Sequence, residues 1–544
     1  MPVQSIYRFS NDLRTKPAHR RWWQIITLSL FAVMALAIAY QPVMFNFFTS
    51  DDFYIISWLH SVTHHPLLLL QGVYEGTPYY RPLTNLFWFG EYILCGTNSC
   101  LFRVIAIAYK ILTAVVLGFV LAELLPTSKE QNKTLNQNQT VTSLNWSLFS
   151  AGLFLLYPLH TEPINWFVST TEVLVNLFIL TSFLFYLRWR RQEKFLPAII
   201  SCAFAVCAFL TKETAVILPL ILVAYELVPN NPAFDPISLS ANPSLSTNTP
   251  TSTKSYFNQR FKLLTGALFT APYWLLLGGY LFIRKLMIGN FLGSWSNTVF
   301  HFPDNHTMFK AWLQSLKMMV VPLSSTIFNH NHITYYLWSL MLTALAALTI
   351  RSLWNDRNRA ALSAFIVTWF FISLLPMLKL LWITPNLLNA RYGYIASAPL
   401  CAVLMFGLAM TNNSQLAGYR RHVLFFLVLA LSTIVLRSNN LAWTEAGQLT
   451  NSMRNNFAKI HAEIAGDPKI YFFNIPVQYK GVPIAGIKTI QSMNHIPFSN
   501  KNFDNGLWLL NDDQLLQKGE TGAFFYRWNM LDKHFYQMTP HQSI

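Results

Sequence analysis

Residues 22–53, WWQIITLSLFAVMALAIAYQPVMFNFFTSDDF, set how the whole chain is read. The run from Trp22 to Phe48 contains no charged side chain. It exceeds the roughly 20 apolar residues that cross a hydrocarbon core. Asp51 and Asp52 follow at once. Adjacent carboxylates repel each other and hold water, and each costs roughly 2.5–3.5 kcal/mol at the centre of a membrane helix. A pair placed at the membrane boundary therefore marks a candidate site. Ser50-Asp51-Asp52 also reads as an ordinary helix start, because short polar residues satisfy the first free backbone N–H groups. Arg8, Arg14, Lys16, Arg20 and Arg21 precede the run. With these bases and no small-residue cleavage site, it reads as a retained first transmembrane helix with its N-terminus in the cytoplasm.

Working outward, the 544 residues are 53% hydrophobic and 11% charged, against about 25% charged in soluble domains. Apolar runs recur to about residue 440, and lipid forces such runs to satisfy their backbone internally as helices. The expected fold is an all-α polytopic membrane protein with about 11 transmembrane helices over 1–437. A small extracytoplasmic α/β domain is expected over 438–544, where Lys469–Pro476 resembles a buried strand and a loop. The formal charge of +16 lies in short clusters between apolar runs. That distribution suits membrane orientation and argues against a nucleic-acid partner. Five cysteines form no metal pattern; Cys95 and Cys100 read equally as a disulfide or as free thiols.

Applied loop by loop, the positive-inside rule sorts the charges. Asp51, Asp52, His160, Glu162, Lys212, Glu213 and Arg391 come from separate loops, and all fall on the extracytoplasmic face. The 127–144 and 229–259 segments read as cytoplasmic linkers. The expected setting is a bacterial inner membrane, with the site on the periplasmic or extracellular side and the C-terminus outside. His60, His64, His65, His301, His306, His330 and His332 read as structural or solvated groups. Tyr79, Tyr80 and Trp88 read as an aromatic belt.

Paired aspartates can take a proton or bind a divalent cation through hard oxygens. Lys212 and Arg391 supply positive charge, and arginine grips phosphate through parallel hydrogen bonds. A polyprenyl-phosphate sugar fits this set, with its lipid in the bilayer and its phosphate at the surface. Transfer needs a base for the acceptor hydroxyl and stabilisation of the departing phosphate. A transporter or lipid-linked-sugar flippase is the alternative, although such proteins gather polar groups near the midplane. Eleven helices are more than a scaffold's anchor needs.

The motifs Asp51-Asp52-Phe53, Tyr80-Arg81-Pro82-Leu83-Thr84-Asn85, His160-Thr161-Glu162, Leu210-Thr211-Lys212-Glu213 and Arg391-Tyr392-Gly393-Tyr394 resemble, in order and spacing, the GT-C class of polytopic glycosyltransferases. The likeness spans about residues 20–440. It is greatest to the O-mannosyltransferase-like branch, which includes the tetratricopeptide-repeat-containing and protein O-mannosyltransferases; the repeats themselves are lacking here. The resemblance implies a polyprenyl-phosphate-linked sugar donor, inversion at the anomeric carbon, and a protein, lipid or glycan acceptor. It implies Asp51 and Asp52 as catalytic base and cation ligands, and Arg81, His160, Glu162, Lys212, Glu213, Arg391 and Tyr392 as substrate-binding residues. Metal dependence varies within the class. Asp52, His160 and Glu162 are the candidate ligands for a divalent cation.

Overall fold

The computed structural model describes residues 17–72, 79–125, 133–228, 251–291, 305–328, 332–353, 357–377, 382–410, 415–464, 469–500, 507–510 and 524–538. Each apolar run read from the sequence is helical. Helix α1 (Pro17–Tyr40) leads to the acidic helix α2 (Asp51–Ser61), followed by α3 (Pro82–Cys95) and α4 (Ser99–Leu124). The bundle continues with α5 (Lys133–Leu155), the single turn α6 (Glu162–Asn165), α7 (Thr170–Gln192), α8 (Phe195–Thr211) and α9 (Leu218–Glu226). Then come α10 (Thr251–Ile288), α11 (Asn305–Val320), α12 (Ile333–Leu353), α13 (Arg357–Leu374), α14 (Tyr394–Ala409) and the long α15 (Gln415–Glu463). Among the described residues, seven helical segments are long and apolar enough to cross a membrane, with Leu30–Val43 and Phe195–Thr211 as shorter apolar helices. The chain is an integral membrane protein by this measure, and exposed side chains such as Leu275 and Leu340 face the surroundings as lipid contacts would.

Burial orders the bundle. The apolar stretch of α7 is 94% buried, whereas that of α12 is 17% buried, so α7 is the central helix and α12 a peripheral one. Helix α7 packs on α4 and α8, and α5 packs on α4 and α14. The stretch after α1 is built of short pieces, with 3-10 turns at Val62–His64 and Pro66–Gln71 between α2 and α3. Gly72 adopts φ +71°, and a Cβ there would lie 2.8 Å from Tyr80 and Pro82. The close approach lets the Gly72 carbonyl accept the Arg81 N–H at 2.7 Å, which fixes Arg81 just ahead of α3. Pro82 opens α3, where its missing N–H costs nothing.

The structure departs from the sequence reading at the linkers. Part of 127–144 is helical, since α5 begins at Lys133; continuation of a helix needs only one more hydrogen bond per residue, so the polar composition does not stop it. In the second linker, 251–259 belongs to α10, and 229–250 lie outside the described residues. His301, Asp304 and His330 lie outside them as well. Cys95 and Cys100 are free.

Helix α15 runs unbroken through the expected domain boundary at 437/438. Beyond it lie β1 (Ile470–Phe473), the hairpin strands β2 (Gln478–Tyr479) and β3 (Val482–Pro483), α16 (Ile487–Met493), β4 (Leu507–Leu510), β5 (Phe524–Asn529) and β6 (His534–Met538). The larger sheet has the order β4-β1-β5-β6. Strand β1 is parallel to β4 and β5, and β6 is antiparallel to β5. Phe457 at the far end of α15 meets Phe472 at 4.8 Å and Phe535 at 5.1 Å, so the membrane helix itself supplies one wall of this sheet's core.

Candidate functional site

Asp51 and Asp52 open α2, and their environments differ sharply. Asp51 is exposed, whereas Asp52 is buried at 1% exposure. Asp52 Oδ1 accepts the Val168 N–H at 3.1 Å, and its Oδ2 accepts the Thr49 N–H at 3.3 Å. Phe53, Phe48 and Phe498 pack edge-on beside it. Burial pushes the Asp52 carboxyl up to about 7; the two backbone N–H groups and Arg103 pull the other way, and Asp51 adds to the rise. The helix-start reading is thus correct in geometry, but Ser50 gives no side-chain cap, and the polar work falls to Asp52.

Val168 belongs to the turn that also carries α6. At the other end of that turn, buried Glu162 accepts the Arg391 backbone N–H at 2.9 Å and pairs with the Arg391 guanidinium. The guanidinium lies 4.7 Å from the Trp166 ring and 4.4 Å from the Tyr392 ring, and its Nη2 donates to Tyr392 Oη at 3.0 Å. One short segment, 162–168, therefore touches Asp52 at one end and Arg391 at the other.

Lys212 follows α8 and reaches across to Glu172 at 2.7 Å, both groups buried. Its Nζ stands 5.6 Å from the Tyr392 ring. Burial holds the Lys212 amine below its ordinary value; Glu172 opposes that, while Arg81 and Arg391 reinforce it. Glu213 is held on two sides by Arg81, with Nε at 3.0 Å and Nη2 at 2.7 Å. Burial raises the Glu213 carboxyl, but the Arg81 charge and hydrogen bonds, its own backbone N–H and the Lys212 charge together outweigh this and keep it below the usual carboxylate range. The adjacent Lys212 and Glu213 thus do not pair with each other, because successive residues after a helix end point apart; each takes a partner from another element.

Asp51 lies within the electrostatic reach of Arg391, and Lys212 within that of Arg81 and Arg391. The structure brings Asp51, Asp52, Arg81, Glu162, Lys212, Glu213, Arg391 and Tyr392 into one neighbourhood. His160 is the exception. It is wholly buried, with Nε2 at 2.7 Å from Ser397 Oγ and its ring against Phe154 and Tyr394. Lys110 donates to Tyr40 Oη at 2.8 Å, and Tyr40 donates to the His160 carbonyl at 2.9 Å. Burial, with Lys110 adding, pushes the imidazole well below its ordinary value, so it is neutral. His160 packs against Ser397, Phe154 and Tyr394, while Glu162, two residues on, pairs with Arg391.

Among the described residues, no group of three His, Cys, Asp or Glu side chains could hold a metal ion. Asp52, His160 and Glu162 do not form one, since Glu162 is committed to Arg391 and His160 to Ser397. Of the histidines outside, His60 bonds Tyr92 Oη at 2.8 Å and His332 accepts the Thr334 N–H at 3.2 Å. Tyr79 stacks on Arg81 at 3.9 Å, and Trp88 is fully buried, so neither belongs to a lipid-facing belt.

Sequence reasoning missed Glu172 and Arg103. Both are charged residues inside apolar spans, the Ser99–Leu124 and Phe167–Gln192 segments, and that alone is a signal of function or pairing. No family model and no curated protein matches the chain. Among solved structures, the chain is similar to ArnT from Cupriavidus metallidurans in the apo state, with 11% identity over 94% of this chain and 93% of that one, at a TM-score of 0.48. It is likewise similar to ArnT from the same organism bound to undecaprenyl phosphate, with 11% identity over 92% of each chain and a TM-score of 0.49.

Proposed function

We propose that the chain is a membrane glycosyltransferase that moves a monosaccharide, mannose or another hexose, from a polyprenyl-phosphate donor to an acceptor hydroxyl on a protein, lipid or glycan outside the cytoplasm, with inversion. The observation that carries this reading is the exposed carboxylate of Asp51 set beside Arg391, with the Lys212 and Arg81 ion pairs behind it.

In this reading Asp51 is the base, because it is the accessible member of the pair. It takes the proton of the acceptor hydroxyl as that oxygen attacks the anomeric carbon. The bond from that carbon to the phosphate oxygen breaks, and the phosphate leaves with the electron pair on the opposite face of the sugar. Arg391 uses Nη1 for Glu162 and Nη2 for Tyr392; arginine carries five N–H donors, so others remain for phosphate oxygens. Asp52 acts on position, holding the 162–168 turn through Val168 and with it the guanidinium.

The test is transfer of labelled sugar from polyprenyl phosphate to envelope material by the purified chain. Asp51→Asn should abolish it in a folded protein, and full activity in that variant removes the reading. Lys110, wholly buried in an apolar span, favours a second reading as a transporter or flippase of lipid-linked sugar. Sugar accumulating inside vesicles without acceptor modification would support that one.

A further inference from the structure

The C-terminal domain touches the site at two places. Gly481, at the tip of the β2–β3 hairpin, adopts φ +85°, and a Cβ there would lie 2.2 Å from the Asn386 carbonyl oxygen. Only glycine allows that contact, both by conformation and by space. Asn386 lies in the turn ahead of Arg391, where the Leu388 N–H donates to its side chain at 3.4 Å. On the far side of the hairpin, the Ile484 carbonyl accepts the Ser50 N–H at 2.9 Å, one residue before Asp51.

The chain then enters α16, which packs on α2. Lys488 Nζ stands 4.9 Å from the Tyr54 ring, and Tyr54 is one helical turn after Asp51 on the same face. Phe498 closes the other side, 4.8 Å from Phe53. The site's three other cations, Arg81, Lys212 and Arg391, are each paired with a glutamate. Lys488 is exposed, lies within the electrostatic reach of Asp51 as Arg391 does, and is not among the described ion pairs.

We propose that the C-terminal domain is part of the site: segment 478–493 ties the turn ahead of Arg391 to the helix that begins at Asp51, and Lys488 is the side chain through which it receives an acceptor bearing an anionic group, phosphate or carboxylate. The tie is independent of the reaction; the acceptor role rests on the glycosyltransferase reading. Lys488 is a positioning residue here, since the proton passes to Asp51.

Two measurements on the full chain in lipid nanodiscs decide it. The first is amide hydrogen exchange of Gly481→Val. Its Cβ must displace the Asn386 carbonyl, so exchange should rise around 382–392 and 48–56 as well as in the hairpin. A rise confined to 469–538 overturns the tie. The second uses labelled polyprenyl-phosphate sugar and membranes from cells lacking the protein as acceptor source. Lys488→Gln should raise the apparent acceptor KM about tenfold, as loss of one charge-assisted contact does, with donor KM unchanged. Lys488→Arg should restore it, and high salt should narrow the difference. Donor and acceptor terms falling together, or no change at all, overturns the acceptor role. If the unaltered chain transfers nothing, the glycosyltransferase reading and the acceptor role fail together, while hydrogen exchange still decides the tie.

Discussion

The two ends of the bundle use the same chemistry to different effect. At one end Arg188 and Arg191 pair with Glu123, and Arg190 with Glu226. At the other, Arg391 pairs with Glu162, Lys212 with Glu172 and Arg81 with Glu213. Ion pairing therefore does not mark a site. Arg190 and Arg191 of the first end sit on the last turn of α7, where positive charge complements the helix terminus. The second end carries its charges on short turns between helices, with Glu172 on the first turn of α7, and adds two aspartates, one exposed and one buried against backbone N–H groups. A site needs groups that are still available to a substrate, held in place by groups that are not.

The largest effect expected is for Asp51→Asn, which keeps the shape and removes the base. The turnover number should fall by about 10²–10⁴, with the melting temperature little changed. A similar loss from Glu123→Gln at the other end would erase the contrast between the ends.

Glu162→Gln and Glu226→Gln sharpen it further. Each leaves a buried arginine without its countercharge, which costs about 3–5 kcal/mol of stability. Thermal unfolding should show both losses. Transfer per folded molecule should fall only in Glu162→Gln, because Glu226 orients nothing at the end that carries the site.

Asp52 gives the end that carries the site a pH signature. Burial raises its carboxyl to about 7 in the folded chain, from 3.8 for the free group. The folded state thus holds a proton that the unfolded state has released. Its stabilising effect is complete below about pH 4 and is lost as pH rises through about 7. The melting temperature should fall between about pH 4 and pH 7, on the order of a few kcal/mol in stability. Asp52→Asn should flatten that slope.

The smallest effect belongs to Arg188→Gln. Arg188 is a third exposed and shares Glu123 with Arg191, so its removal should cost about 0–1 kcal/mol and leave transfer intact. A large loss of transfer would show that the Arg188 end communicates with the site.

The helices and their order were legible in the sequence because lipid allows an apolar run of this length essentially one backbone solution. The sorting of acids and bases by loop was legible for the same reason, since crossing the membrane with charge is costly. Partner choice was not. Lys212 and Glu213 are adjacent in the chain, yet they pair with Glu172 and Arg81. His160 and Glu162 share one turn, yet one faces Ser397 in the core and the other Arg391.

The sequence by itself determined a helical membrane bundle, an acidic pair at its edge and a second, mixed region after it. Tertiary structure decided which aspartate is open, which cation meets which carboxylate, and that the C-terminal hairpin reaches Asn386 and Ser50. The reason is physical. Span length and charge placement are local costs against the solvent, readable one segment at a time. Ion pairs and close backbone contacts depend on distances between segments hundreds of residues apart, which exist only once the helices have packed.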